Sequence, residues 1–441
     1  MPSERKSTMS SSAPSDKQPL DKLNIFSLSG VQMRTFHLTW FAFFVCFMAW
    51  FGLAPLMPVI RTELGLSKDQ VGNIIIASVT STIIARLAIG WLCDKYGPRK
   101  TYVGLLVLGS LPVMGVGLAH DYTSFLLFRL AIGVIGASFV LTQFHAGIMF
   151  TPRLKGTANA IAGGWGNLGG GVTHFTVPIV FSLIIAMGYA PASAWRLTML
   201  VPAAFMLLTA ALYWKYTADT PAGNFDEIGH EPSKQKADYR VLREWRVWAL
   251  AFAYAMSFGM EITVDNVAAL HFTDTFKMDM KTAAFLAGIF GLMNLFARAL
   301  GGWVADKAGQ KAGLVGKGRL LGAMLLLEGL FIWVFSQAGN VALAVALMLT
   351  FALFLKMANG TTYSITPFIN KDNVGLVSGV VGAGGNIGGM AFGFLFKNMP
   401  YVQAFNVVGM IVMGIGVVVL LTRFHKEPAT AINTDSVTVT R

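Results

Sequence analysis

Charge is scarce in this chain. Only 13% of its 441 residues are Asp, Glu, Lys or Arg, against about 25% in soluble proteins. That shortage excludes an ordinary water-soluble globule. Cysteine is scarcer still: Cys46 and Cys93 are the only two, in different apolar segments and without ligand spacing. They exclude a disulfide framework and a Cys-ligated metal site, and are expected to be free thiols. Residues 1–34 lack the apolar run of a secretory signal and read as a polar, Ser-rich tail without fixed structure. No nucleophile–base arrangement or metal-ligand cluster stands out, so neither an enzyme nor a cofactor is expected.

What the chain does have is apolar length: 54% of it is hydrophobic. A bilayer crossing needs roughly 20 apolar residues. Twelve such segments can be drawn, near 36–60, 70–93, 101–119, 123–150, 156–187, 197–217, 246–271, 281–305, 318–337, 340–369, 374–398 and 402–423. The expected fold class is an all-α polytopic membrane protein. The net charge of +12 is not spread evenly. Lys95, Arg99 and Lys100 follow span 2, Lys155 follows span 4, Lys307, Lys311, Lys317 and Arg319 follow span 8, and Arg423 and Lys426 follow span 12. Alternate loops such as HDYT (120–123) are nearly balanced. Basic loops stay on the cytoplasmic side, so both termini are expected there, in a plasma membrane (the inner membrane of a bacterial cell). The charge thus serves topology, and no nucleic-acid partner is expected.

The longest polar stretch between spans, 218–244, divides the spans six and six. The expected organisation is a tail (1–34), a six-helix bundle (35–217), a central cytoplasmic loop (218–244), a second bundle (245–424) and a C-terminal tail (425–441). The two bundles repeat one another. RLAIGWLCDKYGPRK (86–100) matches RALGGWVADKAGQK (298–311), pairing Arg86 with Arg298 and Asp94 with Asp306. GTANAIAGGWGNLGGG (156–171) matches GLVSGVVGAGGNIGGM (375–390), pairing Asn167 with Asn386, and TQF (142–144) matches TTY (361–363). Such repeats imply two bundles related by an axis along the membrane normal, facing each other across a central cavity.

The glycine stretches fit two uses. GWGNLG (164–169) matches a dinucleotide fingerprint in letters only, because the required strand and downstream acid are missing. In lipid, small residues let helices approach closely. At 100° per residue Gly163, Gly166, Asn167 and Gly170 share a face, as do Gly382, Gly385, Asn386 and Gly389. Packing explains the glycines, but not an amide at the same place in both copies. Arg86 lies eight residues before Asp94, about 12 Å up the helix and near mid-membrane, and Arg298 is placed likewise. Intramembrane charges are costly and face cavities or partners. The alternatives are a salt bridge to another span or an anion site. Two forked guanidiniums and two amides suit a small planar oxyanion.

The doubled loops at 90–99 and 302–311 resemble the signature of the major facilitator superfamily. GGWGNLGGG (163–171) and GAGGNIGGM (382–390) resemble the paired signatures of its nitrate/nitrite porter family, and MRTFHLTW, FGMEITVDN and FGLMNLFAR resemble the branch with plant high-affinity nitrate transporters. The resemblance implies the major facilitator fold, with twelve transmembrane helices in two pseudo-symmetric six-helix bundles. It also implies an anion clamp of Arg86 and Arg298 beside Asn167, Asn386, Gly166 and Gly385. Aromatic walls are implied as well, from Tyr363 and, less strongly marked, Phe51, Phe139, Phe144, Tyr254 and Phe258. Asp94, Arg99, Asp306 and Lys311 are expected to form latches between helix ends. Glu261 and Asp265 in span 7 are the candidate proton carriers, unless Glu261 is held permanently by Lys356 or Arg129. His145 and His174 read as satisfied structural histidines, and Glu328 as peripheral. The expected function is secondary nitrate or nitrite uptake, by proton symport or by nitrate/nitrite exchange. An anion channel is the outside class. Expected partners are nitrate, nitrite, protons and the lipid bilayer, with a monomer as the working unit.

Overall fold

The computed structural model describes residues 17–229, 239–370 and 374–424. Residues 1–16 and 425–441 of the expected tails, and 230–238 of the central loop, lie outside the described residues. Among the described residues, eleven helical stretches are long and apolar enough to cross a membrane. In chain order they are α1 Gly30–Glu63, α2 Lys68–Tyr96, α3 Pro98–Leu118, α4 Tyr122–Ile148, α5 Leu154–Ala186, α6 Pro191–Tyr216, α7 Trp245–Phe276, α8 Met280–Phe335, α9 Val341–Phe368, α10 Leu376–Asn398 and α11 Tyr401–Leu421. The expected count of twelve is recovered inside α8, which is 56 residues long. Its helix is broken at Ala312 (φ −138°) and Gly313 (φ +60°), so it holds two spans joined by a reversal. The φ of Gly313 lies where a side chain would be strained.

The expected tail ends earlier than 34, because α1 begins at Gly30. The described part of the tail is also tied down. The Leu20 amide donates to the Met149 carbonyl and the Thr151 amide to the Leu20 carbonyl, both at 3.0 Å. Leu20 and Leu23 rest on a small core of Met33, Phe36, Ala146, Met149 and Phe150. Two leucines in a polar stretch are enough to dock it on an apolar helix end.

The glycine stretches form the main seam inside each half. α1 packs on α5, and α7 on α10. A Cβ at Gly169 would lie 2.0 Å from the Phe44 carbonyl oxygen, and one at Gly388 would lie 2.0 Å from that of Ala255. These two positions correspond in the repeat, so the same backbone-on-backbone approach occurs twice. Only glycine permits it.

Between the halves, α2 packs on α10 and α5 on the first part of α8. The contacts that join the halves cluster at mid-depth and at the face opposite the termini. At that face Arg61 forms a two-pronged ion pair with Asp274, at 2.7 Å for each prong, and Lys68 donates to the Met399 carbonyl at 2.7 Å. Gly171 and Gly291 meet backbone to backbone across the same seam. Toward the terminal face the same helices part: Cβ positions at Gly90 of α2 and Gly379 of α10 meet nothing within 4 Å.

Candidate functional site

Arg86 of α2 reaches across to α10. Its Nη1 donates to the Gly382 carbonyl at 2.6 Å. In the amide orientation that satisfies both groups, Asn386 Oδ1 accepts from Arg86 Nε at 3.1 Å and Nη1 at 2.9 Å. Gly382 is needed here, since its Cβ position is 3.2 Å from Arg86 Nη1 and 3.3 Å from the Tyr363 hydroxyl. No carboxylate among the described residues pairs with Arg86.

Arg298 of α8 differs. Its Nη2 donates to Glu261 Oε2 at 3.0 Å, while Lys356 Nζ of α9 donates to Glu261 Oε1 at 3.0 Å. Asn294 and Asn359 complete the shell, donating Nδ2 hydrogens to Oε1 at 2.7 Å and Oε2 at 2.6 Å. Asn359 is fixed in turn by accepting from Ser257 Oγ at 2.7 Å. Of the partners open to Glu261, Lys356 is taken and Arg129 is not. Sequence symmetry thus makes the two arginines equal and the fold makes them unequal, because Glu261 has no acidic counterpart in the first half. Two buried cations, Arg298 and Lys356, share the one carboxylate of Glu261, while the third, Arg86, is held by neutral groups alone.

Aromatic rings close the space between the arginines. The Arg86 guanidinium lies 5.4 Å from the Phe139 ring centre, and that of Arg298 lies 5.9 Å from Phe258. Tyr363 sits edge-on to both Phe139 (5.9 Å) and Tyr254 (5.1 Å), and Tyr254 stacks on Phe258 at 4.9 Å. Gly385 makes room for that stack, its Cβ position being 2.7 Å from both Phe258 and Tyr254. Gly166 does not border this space; its Cβ position is 1.8 Å from a Phe43 ring carbon, inside the α1–α5 seam. Phe51 is buried beside Gly170 and Asp265, one turn beyond Asn167. Phe144 is half-buried against the core and makes no ring contact with this group among the described residues.

Among the described residues, several buried polar atoms here have no partner. They are Arg86 Nη2, Arg298 Nε, both amide atoms of Asn167 and the hydroxyls of Tyr254 and Tyr363. Burying a polar group without a hydrogen bond costs about 1–3 kcal/mol. A concentration of such groups around two guanidiniums marks a place built for a polar ligand. Donors predominate, so the ligand that fits is an anion, and the flat rings favour a planar one.

The remaining candidates are placed as follows. Asp265 lies one turn from Glu261, buried, with Oδ1 unpartnered. His145 is satisfied on both nitrogens, by the Tyr213 hydroxyl at 2.5 Å and the Ala218 carbonyl at 2.7 Å. His174 is only half satisfied: Nε2 meets the Asp265 carbonyl at 3.0 Å and Nδ1 meets nothing. Glu328, expected at the periphery, is fully buried with both oxygens unpartnered, because its face of α8 turns inward. At the terminal-face latches Asp306 pairs with Lys317 at 2.7 Å rather than with Lys311, which is exposed. The chain reverses at Gly313 and brings Lys317 back beside Asp306. In the first half the Arg99 amide donates to Asp219 Oδ1 at 2.8 Å, and its guanidinium covers the Trp214 ring at 4.3 Å. Asp94 lies in the last turn of α2, just before the helix start that carries Arg99. Asp219, which also accepts from the Phe225 amide at 3.0 Å, was not singled out from sequence. Burial pushes its carboxyl up, and the two amides and Arg99 pull it back. Asn294, Asn359 and Lys356 are likewise site residues that pattern reading undervalued. The available signal was Lys356 itself, a cation in the middle of an apolar span.

Comparison with known proteins agrees with this architecture. The family model described as Major Facilitator Superfamily matches residues 39–393. "High affinity nitrate transporter 2.5" of Arabidopsis thaliana is 36% identical over 399 residues, 89% of this chain and 79% of that protein. "Nitrate transporter 2.1" of Chlamydomonas reinhardtii is 38% identical over 364 residues, 81% of this chain and 66% of that one. "Nitrate/nitrite transporter NrtP" of Nostoc punctiforme is 27% identical over 458 residues, 87% and 91%. Among solved structures, an inward-facing, unoccupied bacterial homolog of the human lysosomal transporter Spinster superposes with a TM-score of 0.64 at 15% identity. That match covers 89% of this chain and 95% of that one, and shows the shared fold. By its helices, its internal repeat and these relatives, the chain belongs to the nitrate/nitrite porter family of the Major Facilitator Superfamily.

Proposed function

We propose that this protein carries nitrate, and nitrite, across a membrane by alternating access, with nitrate and a proton moving together. The observation that carries the reading is the cluster of unpartnered buried donors around Arg86 and Arg298. The named activities of the relatives support the choice of anion. Arg86, already held by Asn386 and the Gly382 carbonyl, presents Nη2 to the ligand. Arg298 presents Nε. Tyr254 and Tyr363 offer hydroxyls, and Phe139 and Phe258 exclude water. Asn167 serves as the amide on the first-half side of the cavity. With both termini cytoplasmic, the seam at Arg61–Asp274 lies on the outer side and the site drains inward.

The position of Glu261 supports the coupling. In the empty site its carboxylate occupies one prong of Arg298. An arriving anion competes for that same guanidinium. A proton on Glu261 removes the competitor, and an anion on Arg298 removes one of the two cations that hold the carboxylate ionised. Each ligand therefore favours the other, as reciprocal linkage requires. Release inward restores the Glu261–Arg298 pair and expels the proton. Asp265, one turn along α7, is the candidate way station for that proton.

The test uses purified protein in vesicles free of internal nitrite. A pH gradient, acidic on the entry side, should drive nitrate above its equilibrium level and acidify the interior. Uptake that requires internal nitrite and ignores the pH gradient would replace symport with exchange. Downhill flux alone, without accumulation, would replace both with a channel.

A further inference from the structure

Arg129 of α4 is a second buried guanidinium without a counter-ion. It is 2% exposed, and no carboxylate among the described residues lies within salt-bridge distance of it. Its Nη1 donates to the Trp50 carbonyl at 2.9 Å and its Nη2 to Asn266 Oδ1 at 3.3 Å, while Nε meets nothing. A buried cation held only by neutral oxygens is expensive and asks for an explanation. Symmetry does not supply one: in the register that pairs TQF (142–144) with TTY (361–363), Arg129 falls opposite Met348. Nor does fold support, since Trp50 is already anchored through its indole to the Ser78 carbonyl at 2.7 Å.

Its location does explain it. Arg129 lies seven residues inside the end of α4 at Tyr122, about 10 Å from the face opposite the termini. Asn266 lies across the divide between the halves, five residues beyond Glu261 toward that same face. The guanidinium therefore sits between that face and the Arg86–Arg298 site, with one prong held by each half. When the halves part at Arg61–Asp274 and Gly171–Gly291, Asn266 leaves with the second half. Nη2 is then freed beside the already unpartnered Nε, on the edge of an opening vestibule.

We propose that Arg129 forms an entry site for a small oxyanion on that face, occupied before the anion reaches Arg86 and Arg298 and covered when the seam closes. The inference rests on the alternating-access reading. A cation beneath a narrow, apolar-walled opening raises the local concentration of anions. On closure Asn266 Oδ1 takes back Nη2 and displaces the anion inward. Other titratable groups near this seam are Asp265 and His174, whose free Oδ1 and Nδ1 border the same junction of α5 and α7.

The experiment compares half-saturation for nitrate from each side, using right-side-out and inside-out vesicles. Arg129→Gln should raise the half-saturation from the outer side tenfold or more, with less than a twofold change from the cytoplasmic side. Arg129→Lys keeps the charge without the fork and should raise the outer value by two- to tenfold, which covers the case in which the Gln variant does not fold. A strut that merely holds the seam would shift both sides alike. Equal shifts on both sides, or no shift on the outer side in either variant, overturn the entry site while leaving nitrate transport standing. Absence of nitrate uptake by the unmodified protein overturns both.

Discussion

Replacing Glu261 by Gln tests the coupling most directly, and its size can be worked from the geometry. The carboxylate accepts four hydrogen bonds, two per oxygen, from Asn294, Lys356, Asn359 and Arg298. A glutamine has one accepting oxygen, and its NH2 would point at two other donors. Breaking one side of a buried ion pair costs about 3–5 kcal/mol, so the empty variant should melt well below the unmodified protein. Nitrate should reverse much of that loss, because it now meets Arg298 without a competitor. The released charge-assisted bond is worth roughly 1.5–3 kcal/mol, a gain of about 10- to 150-fold in nitrate affinity. In the unmodified protein affinity should rise as pH falls, by up to about tenfold per unit over the range where Glu261 takes its proton, since one proton is linked to one anion. In the variant affinity should be flat with pH and equal to the low-pH limit of the parent. Nitrate binding and nitrate-dependent melting, measured as a function of pH, read both effects. Nitrate-for-nitrate exchange should persist in vesicles while pH-driven accumulation disappears. A variant whose nitrate affinity still rises with acid, or which still accumulates nitrate on a pH gradient, would refute the competition at Arg298.

Arg86→Ala should lower uptake by about 10- to 150-fold with protein still in the membrane, because it removes a charge-assisted donor worth roughly 1.5–3 kcal/mol. Arg86→Lys should recover little, since an ammonium gathers its donors on one atom and cannot reproduce the planar fork that spans Asn386, the Gly382 carbonyl and an anion. Asn167→Asp should weaken nitrate binding by placing a carboxylate beside the anion, and unchanged affinity would make Asn167 a packing residue. Gly388→Ala should destabilise the second half by about 1–3 kcal/mol or more, read by melting, since its Cβ would overlap the Ala255 carbonyl. Gly291→Ala, whose Cβ would lie 2.1 Å from Gly171 Cα, should instead prise the halves apart at the face opposite the termini. Spin labels on the ends of α2 and α10 at that face should then report a longer distance, and an unchanged distance would show that the seam yields elsewhere.

Segment length, basic loops and the internal repeat were enough to establish a helical membrane protein of two similar halves, because a span must be long and apolar whatever surrounds it. They were enough too for the mid-membrane placement of Arg86, Arg298, Asn167 and Asn386, since helix rise converts sequence distance into depth. Partners were another matter. Asn294, Lys356 and Asn359 converge on Glu261 from separate stretches of chain, and no periodicity within one helix reveals that. The same holds for Arg129 and Asn266, 137 residues apart and joined only where the halves meet. Lys317 replaced Lys311 opposite Asp306 because Gly313 turns the chain back, and Gly166 turned to Phe43 because α1 lies on that side of α5. Sequence determined which polar groups enter the membrane. Only the tertiary structure decided which of them satisfy one another and which are left for a ligand, because hydrogen bonding at 3 Å depends on helices that meet in space.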